Sequence, residues 1–358
     1  MVFGFIKKFF SKSSQTNMEK EILEQPETIN KLIKKYIDKN GAIKFELPEN
    51  IKKVALIASG SSYHSATIAA NYLRDNVHCY AQSYYSSEFS LLDSVDVDNE
   101  TLYIFISQSG ETADTNHSLD LVRGKTDKTL SITNAKNSTL YNNSKYKILI
   151  HAGEEKSIAS TKAVSAQLFC LFLIAVKIMQ QREIPVNSLL EELYMIPSII
   201  QKTFEYREKI KLFSKKLSLY DNAAILASGM FYPLSKEGAL KVKETSYINT
   251  TAYPTGEFLH GHIAILNKRC AVVSLVNNFN VDFTLKILEK ISSEYTTDSL
   301  IVSAFPLKQN ENVICVNTHK DVEFLFGALL VFQLLAFETA SLLGRNIDSP
   351  CGLTKVVK

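Results

Sequence analysis

Three short stretches carry the first chemical signal. Ser59-Gly60-Ser61-Ser62, Ser107-Gln108-Ser109-Gly110-Glu111-Thr112 and Ser157-Ile158-Ala159-Ser160-Thr161 offer hydroxyls and small residues, with no lysine or arginine among them. Backbone N–H groups at a helix start, joined by Ser and Thr hydroxyls, form an anion cradle that needs no cationic side chain. Three such loops meeting in space predict a site for a phosphate monoester, whereas any one of them alone reads as a helix cap. The GxxxxGK[ST] and GxGxxG nucleotide signatures are absent. Ionisable groups lie elsewhere. Glu237, Lys241 and Glu244 are spaced by four and three residues, which puts them on one helical face. They fit a surface ion-pair ladder or an acid–base site equally well. Glu257, His260 and His262 follow in GEFLHGHIAI. With no third ligand in view, the two histidines read as ordinary loop residues, and no metal or other cofactor is expected.

These loops need a scaffold that brings them together. Val54–Ala58 is a continuous apolar run, as in a parallel strand buried on both faces. Gly60 then permits a tight turn, and Ser61 or Ser62 is placed to cap the helix that follows. A second strand–turn–helix spans Thr101 to Arg123. Further strands begin near Thr129 and Tyr146, and a long helix runs from about Lys162 to Met179. Strands alternating with helices predict a parallel sheet. The pattern then recurs. Ile57-Ala58-Ser59-Gly60 matches Leu226-Ala227-Ser228-Gly229 at an offset of 169 residues, and Ser107 and Ile132 fall on the strands around Val276 and Ile301 at that same offset. The expectation is a duplicated, doubly wound α/β unit. The helical, charged stretch from Gln180 to Lys216 joins the copies, a helical segment leads in, and an extended tail follows. Only the first copy carries the hydroxyl loops, since Gly229 is followed by Met230 and Phe231.

The 358 residues are 46% hydrophobic and 22% charged, with 40 basic against 37 acidic side chains, which predicts a globular protein without a nucleic-acid surface. Five scattered cysteines without CxxC spacing point to reduced thiols and a cytoplasmic location. The apolar runs Leu168–Val176 and Phe324–Phe337 are too short for a bilayer and are expected as buried helices. Residues 1–17 are basic and amphipathic. They read as a disordered extension, or one upstream of a true start at Met18, rather than as a membrane-surface helix.

Several ordered segments, SQSGETADT, AGEEKSIASTKA, SKEGALKVKETSYI, GEFLHGHIAI and SPCGLTKVV, together resemble the sugar isomerase (SIS) domain proteins. Nearest in pattern are the isomerase half of glucosamine-6-phosphate synthase and single-chain glucosamine-6-phosphate deaminases and fructosamine-phosphate deglycases. The resemblance spans about residues 18–358. It implies two tandem flavodoxin-like SIS subdomains, residues 18–195 with the lead-in and 196–345, closed by an active-site tail at 346–358. It further implies that Ser107, Gln108, Ser109 and Thr112, with Ser61 and Ser62, bind the sugar phosphate, and that Ser160 meets the sugar hydroxyls. Glu244 is implied as the base that shuttles a proton between C1 and C2, with Lys241 beside it. His260 would open the sugar ring from a neighbouring subunit of a homodimer, and Lys355 would form an imine with the open-chain ketose.

Two departures shape the expected reaction. There is no cysteine at position 2 and no glutaminase-like segment, so ammonia from glutamine is not expected, and Cys351 stands where the synthase-like tail carries arginine. The expectation is deamination of glucosamine 6-phosphate to fructose 6-phosphate and ammonia. Deglycation of a fructosamine 6-phosphate and a plain phosphosugar aldose–ketose isomerase are the alternatives. A non-catalytic sugar-phosphate sensor is the remaining rival, although it would have no need of Glu244, His260 and Lys355 together.

Overall fold

The structure is a computed structural model that describes residues 15–92, 95–266, 269–295, 298–307 and 312–356. The stretch 1–14, and with it most of the expected N-terminal extension, lies outside the described residues. Two helices lead in, α1 (Asn17–Leu23) and α2 (Gln25–Tyr36). Thr16 caps α1 by accepting from the Glu19 N–H, so residues 16 and 17 belong to that helix.

The first half runs β1 (Lys53–Ala58), α3 (Gly60–Val77), β2 (Tyr80–Tyr85), α4 (Ser86–Ser90), β3 (Thr101–Ile106), α5 (Ala113–Arg123), β4 (Thr129–Thr133), α6 (Thr139–Asn143), β5 (Tyr146–Leu149) and α7 (Lys162–Gln181). α8 (Asn187–Thr203) and α9 (Arg207–Leu217) connect to the second half, β6 (Asn222–Ala227), α10 (Phe231–Ser246), β7 (Asn249–Pro254), β8 (Cys270–Val276), α11 (Val281–Glu294), β9 (Ser299–Ser303), β10 (Val313–Cys315) and α12 (Asp321–Leu342). Each half holds a five-stranded, all-parallel sheet. The orders are β2-β1-β3-β4-β5 and β7-β6-β8-β9-β10. The offset of 169 carries β1 onto β6 and also carries β2 onto β7, residue for residue. The boundary drawn between residues 195 and 196 falls inside α8.

The strand order places the site. After β1 the chain crosses to β2 on one side, and it resumes with β3 on the other. The tips of β1 and β3 therefore open onto a crevice where successive connections diverge, the usual ligand position in such sheets. The crossover helices bury both faces of the first sheet, which is why β1 and β3 are apolar almost throughout.

Two long helices hold the halves together. α7 and α12 are apolar and long enough to cross a membrane by composition alone, yet 89% of the apolar window of each is buried within the fold. Phe172 of α7 meets Phe326 of α12 with ring centroids 6.2 Å apart. Gln333, the polar break in α12, is fully buried. Its amide donates to the Thr161 carbonyl and its oxygen accepts from Gln25. α3 of the first half packs on α10 of the second, and α10 lies along α12. This last contact is tight, because a Cβ on Gly238 would sit 2.5 Å from the Phe332 ring.

Gly238→Ala is expected to destabilise the protein by about 1–3 kcal/mol, because overpacking outweighs the gain of less than about 1 kcal/mol in helix propensity. A lower urea midpoint at unchanged m-value would register it.

Candidate active site

At the tips of β1 and β3 lies a cavity of about 420 Å³. Its floor is built from the three hydroxyl loops. Gly60 adopts φ +54°, which turns the chain directly from β1 into α3. Ser59, not Ser61 or Ser62, is the N-cap, and its side chain makes no capping hydrogen bond. The expected cap by Ser61 or Ser62 is thus corrected. Both lie in the first turn and line the cavity, and Ser62 Oγ donates to Gln167 on α7 at 3.0 Å.

The second loop is folded by its own side chains. Ser107 Oγ accepts from the Gly110 N–H at 3.0 Å and lies 2.9 Å from Thr112 Oγ1. Ser109 Oγ accepts from the Glu111 N–H. Gly110 is required twice over. Its φ is +68°, and a Cβ there would sit 2.1 Å from Ser138 Oγ. The Glu111 carboxylate clamps the loop from outside by accepting from Thr139 N and Oγ1, each at 2.8 Å. Ser107, Gln108, Ser109 and Thr112 all face the cavity.

The third loop is organised by Glu155, which the sequence reading did not single out. Its buried carboxylate accepts from Ser160 Oγ and from the N–H groups of Thr161 and Ala163, so it caps α7. It also receives Lys355 Nζ at 2.7 Å, and the same ammonium donates to the Ser157 carbonyl at 2.6 Å. Beneath this loop, Glu21 accepts from the N–H groups of Lys156 and Ser157. Burial pushes the Glu21 carboxyl up to about 7, against the opposing pull of those two hydrogen bonds. The tail that delivers Lys355 is fixed at Asp348, which accepts from the N–H groups of Asn17 and Met18. Leu353–Val356 then cover one side of the cavity.

The opposite wall is α10. Glu237 and Lys241 are buried, so the surface-ladder alternative fails. Lys241 Nζ donates to Glu244 Oε2 at 2.5 Å and lies 3.6 Å from Glu237 Oε1. His64 Nδ1 of α3 lies 2.7 Å from Glu237 Oε2. Burial alone would lower the Lys241 pKa, but Glu244 and Glu237 outweigh it and push it up to about 12. For Glu237, burial works to raise the pKa and is overcome by Lys241, His64 and Ser61, so this carboxyl lies below its usual range. A carboxylate–ammonium–carboxylate chain therefore ends at the cavity on Glu244.

Of the eleven expected site residues, the cavity gathers ten: Ser61, Ser62, Ser107, Gln108, Ser109, Thr112, Ser160, Lys241, Glu244 and Lys355. His260 is the exception. It sits exposed in the turn after β7 and does not line the cavity of its own chain. Among the described residues no cluster of three His, Cys, Asp or Glu side chains has metal-binding geometry. Sequence reasoning missed Glu155, Glu21 and His64. For Glu155 a signal existed in the paired glutamates just before the hydroxyl loop.

Residues 49–177 match the SIS domain family. The chain is 32% identical over 346 residues to the isomerizing glutamine–fructose-6-phosphate aminotransferase of Aquifex aeolicus, covering 95% of this chain and 57% of that protein. Its identity to the Campylobacter jejuni protein of the same name is 31%. It covers all of the solved C-terminal domain of glucosamine-fructose-6-phosphate aminotransferase from Francisella tularensis, with a TM-score of 0.86 at 28% identity over 95% of this chain. Over residues 49–177 the chain belongs to the SIS domain family. It spans somewhat over half the length of the curated relatives it matches. Glucosamine-6-phosphate deaminase from Thermotoga maritima shares the fold, with a TM-score of 0.77 at 20% identity over 96% of this chain and 99% of that one.

Two stability effects follow from the buried charges. Lys241→Met is expected to cost about 3–5 kcal/mol, because it strands a buried carboxylate, and Lys241→Met/Glu237→Gln should recover most of that loss. Denaturant unfolding of the three proteins checks it. The folded pKa of Glu21, about 7, lies above its ordinary 4.5, so the native state holds the extra proton between those values. Stability should therefore fall as pH rises through that window and level off above it, whereas Glu21→Gln should lack this dependence in thermal unfolding.

Proposed function

We propose that this protein is a phosphosugar isomerase acting on an aminosugar: glucosamine 6-phosphate plus water gives fructose 6-phosphate plus ammonia. One observation carries the reading. A single cavity sets neutral hydrogen-bond donors on one side and the Glu244 carboxylate on the other. Aldose–ketose isomerisation needs that pairing, an anchor for the phosphate and one base within reach of two adjacent carbons.

The charge of the cavity favours an aminosugar over a neutral one. Its lining includes the carboxylates Asp114, Glu155 and Glu244 but only two ammonium groups, Lys241 and Lys355, and both lysines are already ion-paired. The phosphate would rely on the backbone and hydroxyl donors of Ser61, Ser62, Ser107, Ser109 and Thr112, with Gln108 and Ser160 fixing the carbon chain. The substrate ammonium would meet the carboxylate excess.

In this mechanism His260, supplied by a second copy of the chain in a homodimer, opens the ring by moving a proton between the hydroxyl on C1 and the ring oxygen. Glu244 takes the proton from C2 of the open-chain aldehyde and returns it to C1. Lys241 holds the carboxylate in place throughout. C2 becomes an imine, water adds to it, and the C–N bond breaks to leave the ketone and ammonia. Lys355, once it leaves its proton on Glu155, can add as the neutral amine to the ketose carbonyl, and as the ammonium it can close over that carbonyl. The identity to isomerizing aminotransferases favours one second reading, the same carbon chemistry run toward the aminosugar with ammonia supplied from elsewhere.

Incubation with glucosamine 6-phosphate should release ammonia and fructose 6-phosphate in equal amounts. Glu244→Gln should lower kcat by about 10²–10⁴ while leaving binding of fructose 6-phosphate largely intact, and Ser109→Ala or Thr112→Val should act mainly on KM. Binding without turnover would identify a sensor. Release of an amino acid from a fructosamine 6-phosphate would identify a deglycase, and aminosugar formation from fructose 6-phosphate and ammonia would favour the second reading.

A further inference from the structure

Two carboxylates compete for one ammonium in the wall of the cavity. Lys241 Nζ sits 2.5 Å from Glu244 Oε2 and 3.6 Å from Glu237 Oε1. What keeps this sharing unequal is on another helix, in the other half of the fold. His64, one turn into α3, places Nδ1 2.7 Å from Glu237 Oε2. Both members of that pair are buried, and Glu237 Oε1 has no hydrogen-bond donor within reach. Beside an ionised carboxylate, Nδ1 carries the proton and donates it.

We propose that His64 is a positioning residue: by holding Glu237 it keeps Lys241 committed to Glu244, and so fixes the orientation of the carboxylate that faces the substrate. The claim deepens the isomerase reading and rests on it for the role of Glu244.

A buried carboxylate left without donors costs far more than an exposed one, so it moves toward the strongest donor available. With the imidazole gone, Ser61 remains as a neutral donor to Glu237, but the strongest donor is the Lys241 ammonium, 3.6 Å from Glu237 Oε1 and about 0.4 Å beyond hydrogen-bond distance. Closing that gap would draw Lys241 away from Glu244. His64 also shares α3 with Ser61 and Ser62, three and two residues before it, which line the cavity. One side-chain pair therefore joins the helix start proposed to meet the phosphate to the helix that carries the base.

The conservative replacement is asparagine. Its Nδ2 lies as many bonds from the backbone as histidine Nδ1 and is a donor at every pH. In the full chain, His64→Ala should lower kcat at least about tenfold with KM changed less than about threefold, whereas His64→Asn should keep kcat within about threefold of wild type. His64→Ala/Glu237→Gln should be no worse than the poorer single variant, the mark of residues acting through one another. Unchanged kcat in His64→Ala overturns the proposal. So does His64→Asn as poor as His64→Ala, or a loss that lies wholly in KM and tracks a fall in thermal midpoint.

A second readout needs no turnover. In protein carrying ¹³C at glutamate side-chain carboxyls, the Glu244 signal is identified by its loss in Glu244→Gln. Its chemical shift at fixed pH should differ between wild type and His64→Ala, because the Lys241 ammonium that donates to it is drawn toward Glu237. An unchanged chemical shift sinks the proposal. A changed one in a protein that turns over no hexosamine phosphate sustains it and sinks the isomerase reading instead.

Discussion

The arrangement depends on a buried ammonium. Lys241 is fully inside the protein, where an unpaired charge would be ruinous, and it is held there by Glu237 and Glu244 together. The pairing needs α10 to lie against α3, because His64 of α3 engages the far oxygen of Glu237. It also needs α10 to lie close along α12, which Gly238 permits by leaving room for Phe332. The seam between the halves is thus the place where a carboxylate can be buried far enough to be aimed, yet reach a cavity at its end.

Duplication explains why there are two sheets, and local chemistry explains why only one tip carries the hydroxyl loops. In the first half the turn donors after β1 and β3 face a cavity. At the matching place in the second half the protein uses up its own donors. Asn280 Oδ1 accepts from the Asn277 N–H, its amide donates to the Leu275 carbonyl, and Asn277 in turn donates to Asp321. Glu192 from α8 accepts from the Val322 N–H at the start of α12. A carboxylate seated on a helix N-terminus occupies the position that an anion would take. The second copy contributes acid–base groups from α10 to the first copy's cavity.

The sequence made the fold legible wherever burial on both faces left continuous apolar runs. β1, β3, β4, α7 and α12 read directly, and the offset of 169 identified the copy. The edge strand β2 went unread because Tyr80–Tyr85 is largely exposed and polar, so it carries no apolar run. The offset, applied to a strand already known, would have linked β2 with β7. Residues of the cavity were legible where they cluster in one loop, as in Ser107–Thr112. The supporting groups were not. His64 and Glu237 lie 173 residues apart, Lys355 and Glu155 lie 200 apart, and neither pair has a local pattern that points to its partner.

Those long-range pairs also explain how a C-terminal tail without helix or strand can hold position over a cavity. Asp348 pins it to the start of α1, and its carbonyl accepts from Ile158 in the third loop. Tyr247, at the end of α10, accepts from the Cys351 N–H. Beyond Cys351 the chain turns at Gly352, φ +79°, and Lys355 meets Glu155. Glu155 has a second task, since it also caps α7 through Thr161 and Ala163. The Lys355 ammonium can therefore leave without stranding a buried carboxylate, because three protein donors remain on Glu155 after it goes. A lysine paired to a carboxylate that lacked other partners would be locked in place. Here the ion pair holds the tail over the cavity and yet leaves Lys355 free to turn away from Glu155.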